Sequence, residues 1–307
     1  MSLLFGFVYV SAAVFGLACE PPVTENNLEI AFLDVGHGSS VLLRTPDGRV
    51  CLVDGGPTFA GANDVCPVLD SLGITRLDYV FSTNYTDGRV GGLDEVIRYV
   101  GGAAAITEGC FDRGKTQGNP AYGEYVLAAG EKRRAIRLGE TFELGDVTIT
   151  CCARGGRVLD AKHRAPRSEE DRSVALLVSY SGFDLLLPGD LCAVEDQNRL
   201  DLGAELAEAA GPVELLAVPD FGSFGSVSFR FIQRLNPVAS VLSSARGDSS
   251  VTERTMSQLT KRHRQLYLNQ APAVGLEPSV KTAHGDVWVT VGQGFYAVAG
   301  DTFRTYR

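Results

Sequence analysis

Apolar and polar positions alternate from Leu28 to Val35, the pattern of a half-buried strand, and Gly36-His37-Gly38-Ser39-Ser40 turns the chain into a second strand at Val41–Arg44. Thr45-Pro46-Asp47-Gly48 is a turn signal before Val50–Val53, so the chain opens as a β-meander. The period then lengthens. Asn63–Leu72 has helical spacing with Gly73 in the C′ position, Leu77–Ser82 is a strand, and Leu93–Tyr99 is a helix. Residues 101–135 predict a strand, a glycine-rich loop from Gly109 to Gly118 and a helix over Pro120–Ala128. Hairpins follow about Gly145-Asp146 and Ser181-Gly182, separated by a polar stretch, Arg154–Arg172, expected to be an exposed loop. Helices are expected at 193–210, 227–235 and 251–263, strands at 213–218 and 238–243, and two short strands near 286–298.

Hairpins at both ends with strand–helix alternation between them predict an α/β (α+β) fold, two packed sheets with helices outside. No repeat or internal linker interrupts 28–307, which is expected to be one domain. Before it, Met1 to Cys19 carries no charged residue and ends in Gly16-Leu17-Ala18-Cys19, followed by a Pro/Asn-rich linker over 20–27. This reads as a signal peptide with Cys19 as a candidate lipidation site. The expectation is an exported protein, periplasmic or held at the outer membrane by a lipid anchor, with a retained N-terminal anchor as the alternative. No multi-span segment is visible, so the chain is not expected to form a channel by itself.

Thirty-seven Asp and Glu against 28 Lys and Arg give a net charge of −9, the wrong sign for gripping nucleic acid through the overall field. Basic clusters at Lys132-Arg133-Arg134, at Lys162-His163-Arg164 with Arg167, and at Lys261–Arg264 would matter only if they converged on one face. Beyond Cys19, Cys51, Cys66, Cys110, Cys151, Cys152 and Cys192 either form up to three disulfides or are buried free thiols. Only four histidines occur, His37, His163, His263 and His284, with no two in a ligand-like pair, which makes a histidine-rich metal centre hard to build.

A series of short motifs runs collinearly along the chain. Phe32–Ser40, Thr45-Pro46-Asp47-Gly48 and Leu52-Val53-Asp54-Gly55-Gly56 come first, then Val90-Gly91-Gly92-Leu93, Asp171-Arg172-Ser173-Val174, Leu186–Asp190 and Phe221-Gly222-Ser223. Together they resemble the metallo-β-lactamase fold, and within it the hydrolase-like domain of ComEC-type competence proteins. The resemblance implies a four-layer αββα sandwich and, in active members, a zinc centre. Those members carry a His-x-His-x-Asp-His run before the Gly-Gly-Leu, where this chain has Asn84, Thr86, Gly88 and Arg89, with Asp87 one residue out of register. A family Gly-His-His-Gly-Ser run reads Pro219-Asp220-Phe221-Gly222-Ser223, and no counterpart of the last family histidine stands in Ser243–Ser249. Only Asp54 and Asp190 match.

Zinc prefers imidazole, thiolate or carboxylate, so zinc-dependent hydrolysis is expected to be lost. The leading expectation is a non-catalytic binding or scaffold protein without a cofactor, whose partner the sequence does not name. The vestigial pocket would comprise Asp54, Asn84, Thr86, Asp87, Arg89, Asp190 and Asp220. One alternative is a hydrolase of phosphodiesters or other esters, with Asp54, Asp87, Asp190 and Asp220 holding a hard cation such as Mg²⁺ or Ca²⁺, of which Asp54 and Asp190 are the weak metal candidates. Another is an anion-binding module centred on Arg89, with His37 and Arg246 as further ligand candidates. Gly222–Ser226 does not fit a nucleophile elbow and is expected to be a loop with Ser226 as N-cap of the next helix.

Overall fold

A computed structural model describes residues 27–101, 103–108, 119–194 and 197–306. The segment 1–19 with Cys19, linker residues 20–26, Cys110 and the loop Gly109–Gly118 lie outside the described residues. Two mixed sheets dominate. The first takes its strands in the order β18 (Asp301–Arg304), β17 (Phe295–Val298), β16 (Val287–Gly292), β1 (Leu28–Phe32), β2 (Val41–Arg44), β3 (Val50–Val53), β4 (Leu77–Ser82), β5 (Ala103–Glu108) and β6 (Arg133–Ala135). The second runs β15 (Val280–Thr282), β14 (Gln265–Leu268), β13 (Ala239–Leu242), β12 (Leu215–Ala217), β11 (Phe183–Leu187), β10 (Ala175–Tyr180), β8 (Val147–Arg154) and β7 (Thr141–Leu144), with β9 (Arg157–Val158) paired to β8.

The period-2 alternation of each strand builds the layers. Ile30, Leu43, Cys51 and Phe81 from the first sheet meet Ile149, Leu176, Leu185, Leu215 and Val241 from the second in one central core. Their neighbours Ala31, Leu42, Leu52 and Val80 face outward onto α1 (Cys66–Ser71), α3 (Leu93–Tyr99) and α4 (Pro120–Ala129) through Leu69, Leu93, Val96 and Tyr125. On the opposite side Leu186, Leu216, Leu242 and Leu266 pack against α5 (Gly203–Ala210), α6 (Phe229–Leu235) and α7 (Glu253–Thr260) through Leu206, Phe231 and Leu259. The αββα sandwich of the metallo-β-lactamase type follows, as the alternation and the motifs predict.

Several boundaries differ from the expectation. The helix expected at 193–210 is α5 alone, because Arg199 is drawn from the preceding segment to the Asp220 carboxylate and Leu200 N donates to Asp171 Oδ1. The helix after the Gly/Ser loop starts at Phe229, not Val227. Its N-cap is Ser228, whose Oγ accepts from Phe231 N at 3.2 Å, while Ser226 is buried. Glu253–Thr260 is likewise shorter than 251–263 and is capped by Thr252. The C-terminal segment supplies β16 to β18 rather than two strands, and β16 pairs antiparallel with β1, Leu28 opposite Val291. The polar stretch 154–172 is not wholly exposed, since Gly156, Val158 and Asp171 are buried. Cys51, Cys66, Cys151, Cys152 and Cys192 are buried free thiols. No helix of the described residues is long and apolar enough to cross a membrane.

Candidate functional site

The parallel strands β3 and β4 of one sheet, and β11, β12 and β13 of the other, all run toward one edge of the sandwich. The loops at their C-terminal ends therefore meet there, each bringing a polar side chain to the gap between the sheets. Asp54 follows β3, Thr83 and Asn84 follow β4, Asp190 follows β11 and Asp220 follows β12. Asp54 (φ 62), Asp220 (φ 47) and Phe221 (φ 50) all sit in the left-handed region, so three residues at this edge hold strained backbone. Gly55 admits no side chain, because a Cβ there would lie 2.6 Å from Leu93 N.

Arg89, in the one-turn helix α2 (Asp87–Val90), reaches into the middle of these loops. It is 6% exposed, Asp190 2% and Asp54 fully buried. The guanidinium donates through Nη1 to Asp54 Oδ2 at 3.1 Å, through Nε and Nη2 to Asp190 Oδ1 at 3.1 and 2.6 Å, and through Nη2 to Gly189 O at 3.1 Å. Its plane lies over the Phe221 ring at 4.6 Å, a cation–π contact in a dry setting. Asp54 also accepts from Thr83 N and Thr83 Oγ1, both at 2.8 Å. Asn84 Nδ2 donates to Asp190 Oδ2 at 2.7 Å and to Ser173 Oγ at 2.8 Å, while its Oδ1 accepts from Thr86 N and Oγ1. The free volume left among these groups is about 20 Å³, room for about one water molecule.

Burial pushes the Asp54 carboxyl up to about 6 and Asp190 adds to the rise, against the pull of Arg89 and Thr83. Burial alone would lower Arg89, but Asp190 and Asp54 more than offset it and hold the guanidinium above its ordinary value. Asp220 is raised by burial and by Asp190. Asp220 accepts from Arg199 and from Ser223 Oγ, and Arg199 Nη1 also donates to Cys192 Sγ at 2.9 Å.

The geometry sorts the expected residues. Asp54, Asn84, Thr86, Arg89 and Asp190 come together in one hydrogen-bonded centre, with Asp220 beside it under Arg199. Asp87 does not join them; it is exposed and bonded to Thr58 Oγ1 at 2.5 Å. The expected four-carboxylate cage for a hard cation therefore lacks one wall, and the facing oxygens of Asp54 and Asp190 are taken by a permanent cation. His37 packs against Phe221 in a tilted contact, 5.0 Å between ring centroids, and bonds Asp248 Oδ2 through Nδ1 at 2.9 Å, at the exposed rim. Arg246 is exposed. Arg89 has most of its donors committed inside the protein, which disfavours the expected role in holding an outside anion. Thr83, Ser173, Phe221, Arg199 and Asp248 complete the centre. Ser173 and Phe221 lie within the collinear motifs, while no sequence signal marks the others.

The set does not fit a zinc centre. Among the described residues no group of three or more His, Cys, Asp or Glu is placed to hold a metal ion. The guanidinium bridges the two carboxylates that would otherwise be left to a cation.

The chain matches no protein-family model. In sequence it is 23% identical over 263 residues to ComE operon protein 3 of Bacillus subtilis, covering 79% of this chain and 32% of that protein. It is 26% identical over 223 residues to competence protein ComA of Neisseria gonorrhoeae, covering 72% of this chain and 28% of that protein. The chain thus spans about a third of the length of these curated relatives. Among solved structures, a mutant of the β-hydroxylase CmlA superposes with a TM-score of 0.50 at 14% identity, over 87% of this chain and 54% of that one. The metallo-β-lactamase fold protein YhfI of Bacillus subtilis gives a TM-score of 0.49 at 13% identity, over 80% of this chain and 97% of that one. With its two-sheet topology, its collinear motifs and its similarity to the competence proteins, the chain has the metallo-β-lactamase fold and a ComEC-like sequence.

Proposed function

We infer that the chain is a non-catalytic, competence-related protein of the cell envelope, exported through its N-terminal segment, in which the ComEC-like fold serves as a binding or scaffold unit. The observation that carries this reading is the buried Arg89 guanidinium bridging Asp54 and Asp190. A two-metal site makes hydroxide available by lowering the pKa of bound water to about 7. A guanidinium supplies positive charge to the same carboxylates but no open coordination position, so it stabilises the fold without activating water. The residual cavity of about 20 Å³ also leaves no space for a substrate beside the reacting groups. The names of the relatives support the competence context, and their greater length means that their whole activity is not carried over.

The reading is tested with bis(4-nitrophenyl) phosphate as substrate and added Zn²⁺, Mn²⁺ or Mg²⁺, comparing wild type with Asp190→Asn, both checked for folding by circular dichroism. The expected result is no turnover in wild type above that of the variant. Metal-stimulated turnover that disappears in Asp190→Asn would overturn the reading in favour of a carboxylate-based hydrolase.

A further inference from the structure

A second cavity, of about 430 Å³, opens where the β8–β9 hairpin meets the loop that follows it. Its lining includes Arg137, Arg154, Arg157, His163 and Arg172, completed by Leu138, Gly155 and Pro166, with no Asp or Glu among them. In a chain of net charge −9 this is an unusual place. It shares no lining residue with the cavity at Asp54.

The local structure brings the cations together. Gly155 and Gly156 both have positive φ (57 and 76), the requirement of a tight two-residue hairpin turn, and a Cβ on Gly156 would press into Arg164 O. That turn sets Arg154 directly opposite Arg157 across the β8–β9 ladder. Like charges in this register repel. The turn is also lashed to the following loop: Gly155 N donates to Arg172 O, Gly156 N to Asp171 O and Arg164 N to Gly156 O. Arg154 in turn donates through Nη1 to Ile136 O, next to Arg137.

Of the carboxylates carried on the same loops, three bond mainly to groups outside the cavity lining and one, Glu169, reaches a lining arginine. Asp171 accepts from the Arg167 and Leu200 amides. Glu140 accepts from Arg137 N and pairs with Arg134. Glu170 pairs with Arg199 at 3.5 Å, and Glu169 accepts from Tyr85 N while facing Arg172 at 3.7 Å. A concave site whose walls carry four arginines and a histidine, two of the arginines set in repulsive register by a glycine turn, suits a ligand with several negative charges in a small volume. Guanidinium groups pair with phosphate oxygens in a bidentate fork, and the cavity is within the range of about 300–1,000 Å³ of small-molecule sites.

We propose that this cavity binds a small soluble anion carrying two or more phosphate groups. The test is calorimetric titration of the full chain with inorganic tripolyphosphate at fixed ionic strength, repeated with orthophosphate and with a single-stranded oligonucleotide. Arg137→Gln and Arg157→Gln alter exposed side chains and leave the packing intact. Saturable binding of tripolyphosphate at one site per chain, at least about tenfold weaker in each variant and in orthophosphate, is the expected result. No saturable binding, binding that the variants leave unchanged, or binding of the oligonucleotide with none of tripolyphosphate would overturn it. Because the two cavities share no lining residue, failure here would leave the reading of the Asp54 centre standing.

Discussion

Arginine plays opposite parts in two regions of this molecule. At the strand ends Arg89 is buried, bonded to Asp54 and Asp190, and surrounded by about 20 Å³ of free space. At the β8–β9 hairpin, Arg137, Arg154, Arg157 and Arg172 border an open volume of about 430 Å³ with no carboxylate in its wall. The first arrangement is closed upon itself: a desolvated set of ion pairs, costly to break, in which the carboxylates already hold their cation. The second leaves Arg137 and Arg157 exposed beside an open volume, while Arg154 is bonded to Ile136 O and Arg172 faces Glu169 at 3.7 Å. Positive charge alone therefore does not mark a candidate binding site; whether open volume is left beside it does.

Substitution should separate the two regions sharply. Arg89→Met leaves two buried carboxylates without their cation and is expected to cost about 3–5 kcal/mol in urea unfolding. Adding Asp54→Asn and Asp190→Asn to Arg89→Met should recover much of that loss, because no charge then remains buried. A cost below about 1 kcal/mol for Arg89→Met would mean that the ion pairs are not formed.

The next effect is one of pH. Asp54 is pushed up to about 6 in the fold from an ordinary value of 3.8, so the folded state holds a proton there that the unfolded chain has released. Its contribution to stability is therefore fully present below the unfolded value and is lost as pH rises through about 6. The stability of wild type relative to Asp54→Asn should fall between about pH 4 and pH 7 and then level off. A difference that rises over that interval would reverse the assignment.

Smaller changes belong to the open surface. Arg157→Gln should shift stability by less than about 1 kcal/mol, in the favourable direction, since it removes a like-charged cross-strand pair. His37→Ala breaks a pair whose histidine side chain is 57% exposed, and should cost no more than about 1 kcal/mol. A large loss in either variant would erase the contrast between the two regions.

Much of the fold was legible because strands alternate so regularly. Ile30 and Phe32 against Ala31 already separate the central core from the helix-facing side, and the turn residues at Gly145-Asp146 and Ser181-Gly182 place both hairpins. Helix ends were less legible: Ser226 and Ser228 are equally good caps in sequence, and only the extended backbone of Ser228 chooses between them. The register of the Gly-Gly-Leu motif led to Asn84, Thr86 and Arg89, since motif spacing survives when the residues change, and the Leu52–Gly56 and Leu186–Asp190 motifs led to Asp54 and Asp190. It overreached at Asp87, whose side chain turns to Thr58. Arg199 and Asp248 were invisible because their roles depend on partners 21 and 211 residues away. His163 stood out in a basic run, yet it meets Arg137, Arg154, Arg157 and Arg172 through a hairpin rather than converging on Arg89.

The central claim is that Arg89 occupies the place of an ion. Anomalous diffraction at the zinc edge, from crystals soaked in zinc, tests it most directly. The account predicts no peak between Asp54 and Asp190 and an undisturbed guanidinium joining them; an ion bound to both carboxylates with Arg89 swung aside would contradict it.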